Sequence, residues 1–151
     1  MAFGLTQLGM AASNLREKAL AYESVEWLTN SYWSPAMVSQ HDPGDILNLD
    51  ISGGLPAVII NMLVQSSEPE APGAPWRISL LPCLPDKWSS GSLKGVRCRG
   101  GFEVSLRWVH GTVTGLEVIS LRDERCEVEY NGVVEEPTFD AGRWIQTFPE
   151  A

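Results

Sequence analysis

Apolar residues in the first thirty positions recur every three or four residues, which is the spacing of an α-helix. The pattern covers residues 5–30 and is interrupted near Ser13. It therefore predicts a helical hairpin in which Ser13 caps the second helix. A second strongly apolar run, residues 57–65, follows Pro56. Proline suits the first turn of a helix because the N–H that it lacks has no partner there, so this helix is predicted to begin at Pro56.

Beyond residue 75 the period changes from that of a helix to that of a strand. Apolar and polar side chains alternate over residues 102–109, which is typical of a strand with one buried face. His110-Gly111 and Asn131-Gly132 are two-residue hairpin signals. These features predict an antiparallel β-sandwich. Five further short segments are rich in strand-forming residues: 76–81, 95–99, 113–120, 126–130 and 143–148.

A stretch rich in proline and glutamate separates the two patterns. It holds three prolines between residues 69 and 75, a composition typical of a linker. We predict a helical segment over 1–67, a linker over 68–75 and a β-sandwich domain over 76–151. The predicted fold class is α+β, with the N-terminal helical segment packed on the C-terminal antiparallel sandwich.

The charge of the chain restricts its partners. Its 151 residues carry 11 basic and 19 acidic side chains, a formal net charge of −8. Nucleic-acid binding needs a basic field, so we expect no nucleic-acid partner; the one close basic cluster is Lys94, Arg97 and Arg99. No apolar run approaches the ~20 residues of a membrane span, and the N-terminus lacks the basic start of a signal peptide. We therefore expect no membrane association and a cytoplasmic location.

Cysteine and histidine are too sparse for a zinc pattern. Cys83, Cys98 and Cys126 lie far apart, and only His41 and His110 are available to join them. Free thiols are the main expectation, with one Cys83–Cys98 or Cys98–Cys126 bridge as the alternative. We expect neither a metal nor another cofactor.

Two stretches of the sequence resemble a known enzyme family. LLPCLPDKWSSGSLKGVRCRGGFEVSLRW resembles the junction and first strands of the C-terminal β-domain in glycoside hydrolase family 95, the alpha-L-fucosidase family. NLDISGGLPAVIINMLVQSS resembles the last segment of the catalytic helical barrel in the same family. The resemblance covers about residues 44–121. It implies that the helical segment is a remnant of an (α/α)6 barrel.

The resemblance also implies a chemistry for Asp50. Family members hydrolyse glycosides with inversion, using a glutamate as the acid and a water that is bound by asparagine and activated by an aspartate. Asp50 matches that aspartate, whereas nothing in this sequence matches the glutamate, and Ile51-Ser52-Gly53-Gly54 departs from the usual residues after it. We therefore predict a C-terminal fragment that has a sugar ligand and an upstream barrel partner, and that does not hydrolyse fucosides alone.

Three polar residues are the candidate catalytic groups. Asp50 is predicted to be a general base, with a helix-capping role as the alternative. Asn48 is positioned in sequence to orient the same water or substrate. His41 lies in a loop beside Asp42, where a neutral imidazole is able to act as a base near pH 7; the alternative is an exposed loop histidine.

Trp33 and Trp88 are the candidate ligand-binding residues. The chain has six tryptophans, and aromatic rings stack on sugars but also fill cores. Trp33 and Trp88 adjoin loop residues, which favours a ligand role. In the Arg-Cys-Arg-Gly-Gly stretch at 97–101, a bend and a buried Cys98 are preferred to an anion site or a redox site.

Two other functions remain open. In the first alternative, the chain is a repurposed stand-alone domain. It is then either a non-hydrolytic enzyme of the cyclase or isomerase type or a binder of a small apolar metabolite, and its ligand is expected in a cleft where helices and sandwich meet. It is an assembly module in the second, because barrel helices without their neighbours expose apolar surface; a homodimer is then expected.

Overall fold

Helices precede strands along the chain, as the two sequence patterns predict. A computed structural model describes residues 1–122, 124–140 and 142–147. The helices are α1 (Ala2–Asn14), α2 (Lys18–Ser31) and α3 (Leu49–Leu63). The strands are β1 (Val64–Ser67), β2 (Trp76–Leu80), β3 (Gly91–Cys98), β4 (Phe102–Val109), β5 (Thr112–Ser120), β6 (Cys126–Tyr130), β7 (Val133–Glu135) and β8 (Arg143–Thr147).

The chain divides into two compact units. The helical unit comprises Met1–Leu63 and Pro82–Pro85, and the sandwich unit comprises Val64–Leu81 and the described residues from Asp86 onward. The backbone N–H of Cys83 donates to the carbonyl of Met62 (3.0 Å), which ties the short second segment to the end of α3. The predicted boundaries at 67/68 and 75/76 stay a prediction. In the structure, residues 68–75 connect β1 to its antiparallel neighbour β2.

Small residues let the helices approach closely. A Cβ added to Gly54 of α3 would lie 2.7 Å from Cγ2 of Thr6 on α1, and one added to Gly9 would lie 3.0 Å from Val58. Backbones that close leave no room for larger side chains. The apolar core of the unit is formed by Ala2, Ala12, Ala21, Val25, Leu28, Tyr32, Ile51, Leu55, Val58, Met62, Leu63 and Cys83.

The prediction that Ser13 caps the second helix is wrong. Ser13 is the penultimate residue of α1, and α2 begins at Lys18 with Glu17 at its N-cap. The buried Ser13 hydroxyl instead donates to the carbonyl of Met10 (3.1 Å) and accepts from the amide of Asn61 on α3. A hydroxyl that is bonded within α1 and to α3 is not available to cap α2.

The predicted start of the third helix is also wrong, by seven residues. Asn48 caps α3, since its Oδ1 accepts from the backbone N–H of Ile51 (3.2 Å), and Pro56 lies inside the helix. Proline cannot donate to the carbonyl four residues earlier, which belongs to Ser52. Both Ser52 and Pro56 are exposed, so water is able to satisfy that carbonyl. The capping side chain of Asn48, rather than Pro56, therefore determines where α3 begins.

Two four-stranded sheets form the sandwich unit. Sheet I has the order β1-β2-β6-β7 and sheet II the order β3-β4-β5-β8. Strands β2 and β6 run parallel, and the other pairings between described strands are antiparallel. The α+β class and the antiparallel-rich sandwich are therefore confirmed, with one parallel pair that the local pattern did not indicate.

The alternation predicted for β4 is confirmed, as are both hairpins. Phe102, Val104, Leu106 and Trp108 are buried, whereas the polar residues between them are not. His110 (φ 51°) and Asn131 (φ 49°) each precede a glycine with positive φ in a two-residue turn. The last residue of the predicted strand 143–148 lies outside the described residues. Among the helices that the structure describes, none is long and apolar enough to cross a membrane.

Candidate functional site

The loop between α2 and α3 positions two of the candidate catalytic residues. Residues 33 and 39 form one isolated bridge, and residues 40 and 47 form another. Ser39 holds both sides of this loop, because its carbonyl accepts from the N–H of Asn48 (2.9 Å) and its hydroxyl donates to the carbonyl of Asn48 (2.6 Å). The folded-back loop brings His41 next to Asn48, seven residues later.

The side chain of Asn48 joins the three predicted catalytic residues. Asn48 is only 8% exposed. Its Nδ2 donates to Nδ1 of His41 (3.1 Å) and lies 3.5 Å from Oδ2 of Asp50, the outer limit of a hydrogen bond. The structure therefore brings His41, Asn48 and Asp50 into one hydrogen-bonded cluster.

The bonds of Asn48 also determine the tautomer of His41. The N–H of Ile51 is a donor, so it must face Oδ1 of Asn48, and the Nδ2 group is then left to face the imidazole. Nδ1 of His41 accepts this bond and carries no proton. The proton of the neutral ring is therefore on Nε2, 3.9 Å from a carboxylate oxygen of Asp42. Protonation of Nδ1 would break the bond to Asn48.

Asp50 lies in the first turn of α3 and is exposed. The helix N-terminus stabilises a negative charge there. Its carboxylate borders a groove of about 270 Å³ between α1 and α3. Of the described residues that line the groove, Asp50 alone is titratable; the others are Phe3, Thr6, Gln7, Met10, Gly54 and Val58.

The two candidate ligand-binding tryptophans belong to different compact units. Trp33 is half-buried in the helical unit, and its indole N–H is buried without a hydrogen-bond partner among the described residues. Trp88 is half-buried in the sandwich unit, where its carbonyl accepts from the indole N–H of Trp108 (2.8 Å). A ligand role for either ring stays a prediction.

The Arg-Cys-Arg-Gly-Gly stretch comprises the last two residues of β3 and the three-residue turn, Arg99–Gly101, that leads into β4. Gly100 (φ 77°) and Gly101 (φ 81°) both have left-handed backbone conformations. Burial raises the pKa of the Cys98 thiol to about 11, so the thiol is neutral at physiological pH. Arg97 and Arg99 form ion pairs with Glu103 (3.0 Å) and Glu68 (2.8 Å) inside the sandwich unit. These contacts agree with a structural bend.

All three cysteines are free thiols, so the alternative of a single disulfide is absent from the structure. Burial is the first cause that raises the pKa of Cys83 and Cys126, the latter to about 12. No group of three or more His, Cys, Asp or Glu side chains within the described ranges is arranged to hold a metal ion.

Comparison with known proteins assigns the sandwich to a family. Residues 74–144 match the model of the glycoside hydrolase family 95 C-terminal domain. This part of the chain is similar to the C-terminal domain of family 95 proteins. The chain is also 33% identical over 98 residues to Alpha-L-fucosidase 2 of Arabidopsis thaliana, an alignment that covers 64% of this chain and 10% of that protein. The alignment thus spans about a tenth of the length of that relative.

The groove beside Asp50 was not predicted from the sequence. Its lining comes from α1 and α3, which are more than thirty residues apart in the chain, and helical periodicity does not show which faces of two helices meet. The paired glycines at 53 and 54 were the available signal, because a glycine inside a helix often marks a close approach.

Proposed function

We propose that this chain is the C-terminal part of an alpha-L-fucosidase-like glycoside hydrolase and supplies the base of its catalytic pair. The observation that carries the proposal is the cluster of Asp50, Asn48 and His41, placed at the rim of a groove in a chain similar to family 95 proteins. The name of the Arabidopsis relative provides the substrate class, an α-L-fucoside.

Asp50 is the catalytic residue of this proposal. Its exposed carboxylate accepts a proton from water while the water oxygen attacks the anomeric carbon. Both functional atoms of Asn48 are already engaged, by Ile51 and by His41. We assign Asn48 as a positioning residue, which fixes the start of α3 and the orientation of the imidazole.

Hydrolysis needs a second group that protonates the leaving oxygen. In inverting enzymes the acid and the base are roughly 6.5–9.5 Å apart on opposite faces of the sugar. Asp50 is the single titratable residue among the described residues of the groove. We therefore propose that the acid comes from the remainder of the family 95 protein and that the 151-residue chain alone does not hydrolyse fucosides.

The first experiment measures release of an aryl leaving group from an aryl α-L-fucoside. The chain alone should show no turnover above buffer. The second experiment places this chain in the Arabidopsis protein instead of the matching segment. The chimera should be active, and Asp50→Asn should lower kcat at least about a hundredfold if the base is lost. Asp45→Asn, which removes the same charge from an exposed loop residue, is the matched control and should leave kcat unchanged.

Two results would contradict the proposal. Turnover by the isolated chain would show that it holds its own acid. An active chimera whose kcat is the same with Asp50→Asn would remove the role of Asp50. Asn48→Asp tests positioning separately, since a carboxylate still caps the helix but no longer donates to His41. We expect this variant to fold like the parent and to show a shifted pH profile, whereas a purely structural Asn48 predicts an unchanged profile.

A second candidate function rests on the lining of the same groove. Phe3, Met10 and Val58 contribute apolar side chains to its lining, which suits a small apolar metabolite as well as a sugar. Amide chemical shifts of Gly54 and Val58 would distinguish the two ligand classes. Shifts caused by L-fucose and not by cyclohexanol favour the glycosidase, and the reverse result favours a binder or a non-hydrolytic enzyme.

Exposed apolar side chains support a partner for the helical unit. Of the described large hydrophobic residues that are exposed, twelve lie in residues 1–63 and five in the rest. We propose that further helices of a family 95 protein cover them and that the isolated chain uses them to form a homodimer. Light scattering at micromolar concentration should give twice the 16.6 kDa of the chain; a monomer would contradict the dimer.

A further inference from the structure

The two sheets of the sandwich unit carry charges of opposite sign. The strands of sheet II hold four cations, Lys94, Arg97, Arg107 and Arg143, and two carboxylates, Glu103 and Glu117. The strands of sheet I hold one cation, Arg77, and three carboxylates, Glu127, Glu129 and Glu135. Sheet II is therefore locally basic in a chain whose net charge is −8.

The cations of sheet II are not equally engaged. Arg97 pairs with Glu103 and Arg143 pairs with Glu117, each at 3.0 Å. Lys94 and Arg107 are exposed and form no ion pair with a described residue. Two cations on one face without an ion pair among the described residues attract an anionic partner.

Both of these cations border a broad groove on the outer face of sheet II. The groove has a volume of about 590 Å³, within the range of small-molecule sites. Gly115 forms part of its floor, and a Cβ added there would meet only the Cβ of Arg107 at 3.8 Å. The missing side chain leaves the centre of the face open.

The other groups of the groove match a sugar that carries a carboxylate. The hydroxyls of Ser92 and Ser105 offer hydrogen bonds, and the carboxylate of Glu117, held by Arg143, accepts bonds from hydroxyl donors. Ile145 is 57% exposed and provides an apolar surface for the C–H face of a pyranose. A ligand that suits this set needs both hydroxyl donors and an anionic acceptor.

We propose that the outer face of sheet II binds an acidic polysaccharide, with Lys94 and Arg107 as the ligands of its uronate carboxylates. A nucleic acid fits less well, because no aromatic ring lines the described groove for stacking on bases. The choice of a sugar rests on the proposed glycosidase function. The site itself is separate from Asp50 and needs no catalytic step.

The experiment is affinity electrophoresis of the folded chain in native gels that contain polygalacturonate. The acidic chain should be retarded by polygalacturonate and not by the fully methyl-esterified polymer, and salt should weaken the retardation. Lys94→Gln combined with Arg107→Gln should lower the affinity at least about tenfold, because two charge-assisted hydrogen bonds are lost. Arg77→Gln, which removes one charge from sheet I, is the matched control and should change it little.

Several outcomes would overturn the inference. The first three are no retardation by polygalacturonate, equal retardation by the esterified polymer, and an equal loss of affinity in Arg77→Gln. The fourth is equal or tighter binding of heparin or single-stranded DNA, which would indicate an unspecific polyanion surface. Far-UV circular dichroism of each variant shows whether the fold is retained. The fucosidase chimera reports on Asp50 independently, so failure of polysaccharide binding and failure of the proposed hydrolysis are distinguishable.

Discussion

Gly100 and Gly132 allow the contact between the β3–β4 turn and Trp76 to be measured by substitution with alanine. Both glycines have φ 77°, so both alanine variants carry the same strain from a left-handed backbone. They differ in their surroundings. A Cβ at Gly100 would lie 2.6 Å from Cδ2 of the Trp76 ring, whereas a Cβ at Gly132 has no heavy atom within 4 Å.

The expected magnitudes follow from these two observations. A left-handed alanine costs roughly 1–2 kcal/mol, reduced by about 0.4–1 kcal/mol because alanine also restricts the unfolded chain. Gly132→Ala should therefore lower the free energy of unfolding by about 1 kcal/mol. Gly100→Ala additionally pushes the indole away from its site, and overpacking of this kind costs typically 1–3 kcal/mol. The total for Gly100→Ala is about 2–4 kcal/mol.

The measurement must report on the sandwich unit alone, since two compact units need not unfold together. Hydrogen exchange of β4 and β5 peptides in increasing urea meets this condition. A double-mutant cycle with Trp76→Leu should recover part of the loss in Gly100→Ala and none of the loss in Gly132→Ala. Equal destabilisation by the two alanine variants would refute the reasoning, because the backbone strain would then account for the whole effect.

Alanine at the neighbouring glycines of α3 should change the free energy of unfolding of the helical unit in opposite directions. Gly53→Ala should raise it by about 0.5–1 kcal/mol, because the added Cβ has no heavy atom within 4 Å, and Gly54→Ala should lower it, because the added Cβ overlaps a side chain of α1. Urea unfolding followed by hydrogen exchange of α1 peptides checks both. Asn131→Gly keeps the positive φ but removes two side-chain hydrogen bonds to the backbone of β5, which are 2.8 and 2.9 Å long. The free energy of unfolding should therefore fall by about 1–2 kcal/mol, and an unchanged urea midpoint would contradict this expectation. Burial raises the thiol pKa of Cys98 to about 11 and of Cys126 to about 12, from an ordinary value of 9.0. Stability from these groups is therefore complete below pH 9 and is lost between pH 9 and 12, since only the unfolded chain ionises there; alkaline titration should show a shallower fall in the double Cys→Ala variant, and identical curves would exclude the thiols as a cause.

Local patterns predicted the elements in which neighbouring residues decide the outcome. The alternation in β4 has one buried face, so it specifies both the strand and its orientation. The two-residue turns at 110–111 and 131–132 need only a glycine and a partner that tolerates positive φ. All the residues that determine such a feature lie within about ten positions of one another in the sequence.

Other features depend on distant residues and were missed or misplaced. β1 is four residues long, too short for a periodic pattern, and it exists because β2 pairs with it. The parallel pairing of β2 with β6 has no local signal. Two local signals predicted different starts for α3: the helix begins after the cap formed by the amide of Asn48, and Pro56 lies inside it. For the candidate site, the resemblance to family 95 identified Asp50, but only the folded loop shows that Asn48 connects it to His41.

The parallel pair has a consequence for synthesis on the ribosome. Arg77 of β2 is in register with Glu127 of β6, fifty residues later. At about 5–20 residues per second, a nascent chain waits roughly 3–10 s between the emergence of β2 and that of its parallel neighbour. Throughout that interval one edge of β2 has unpaired N–H and C=O groups, an edge on which strands of other chains are able to pair. Translation speed over residues 81–126 should therefore influence how much of the protein is recovered in folded form.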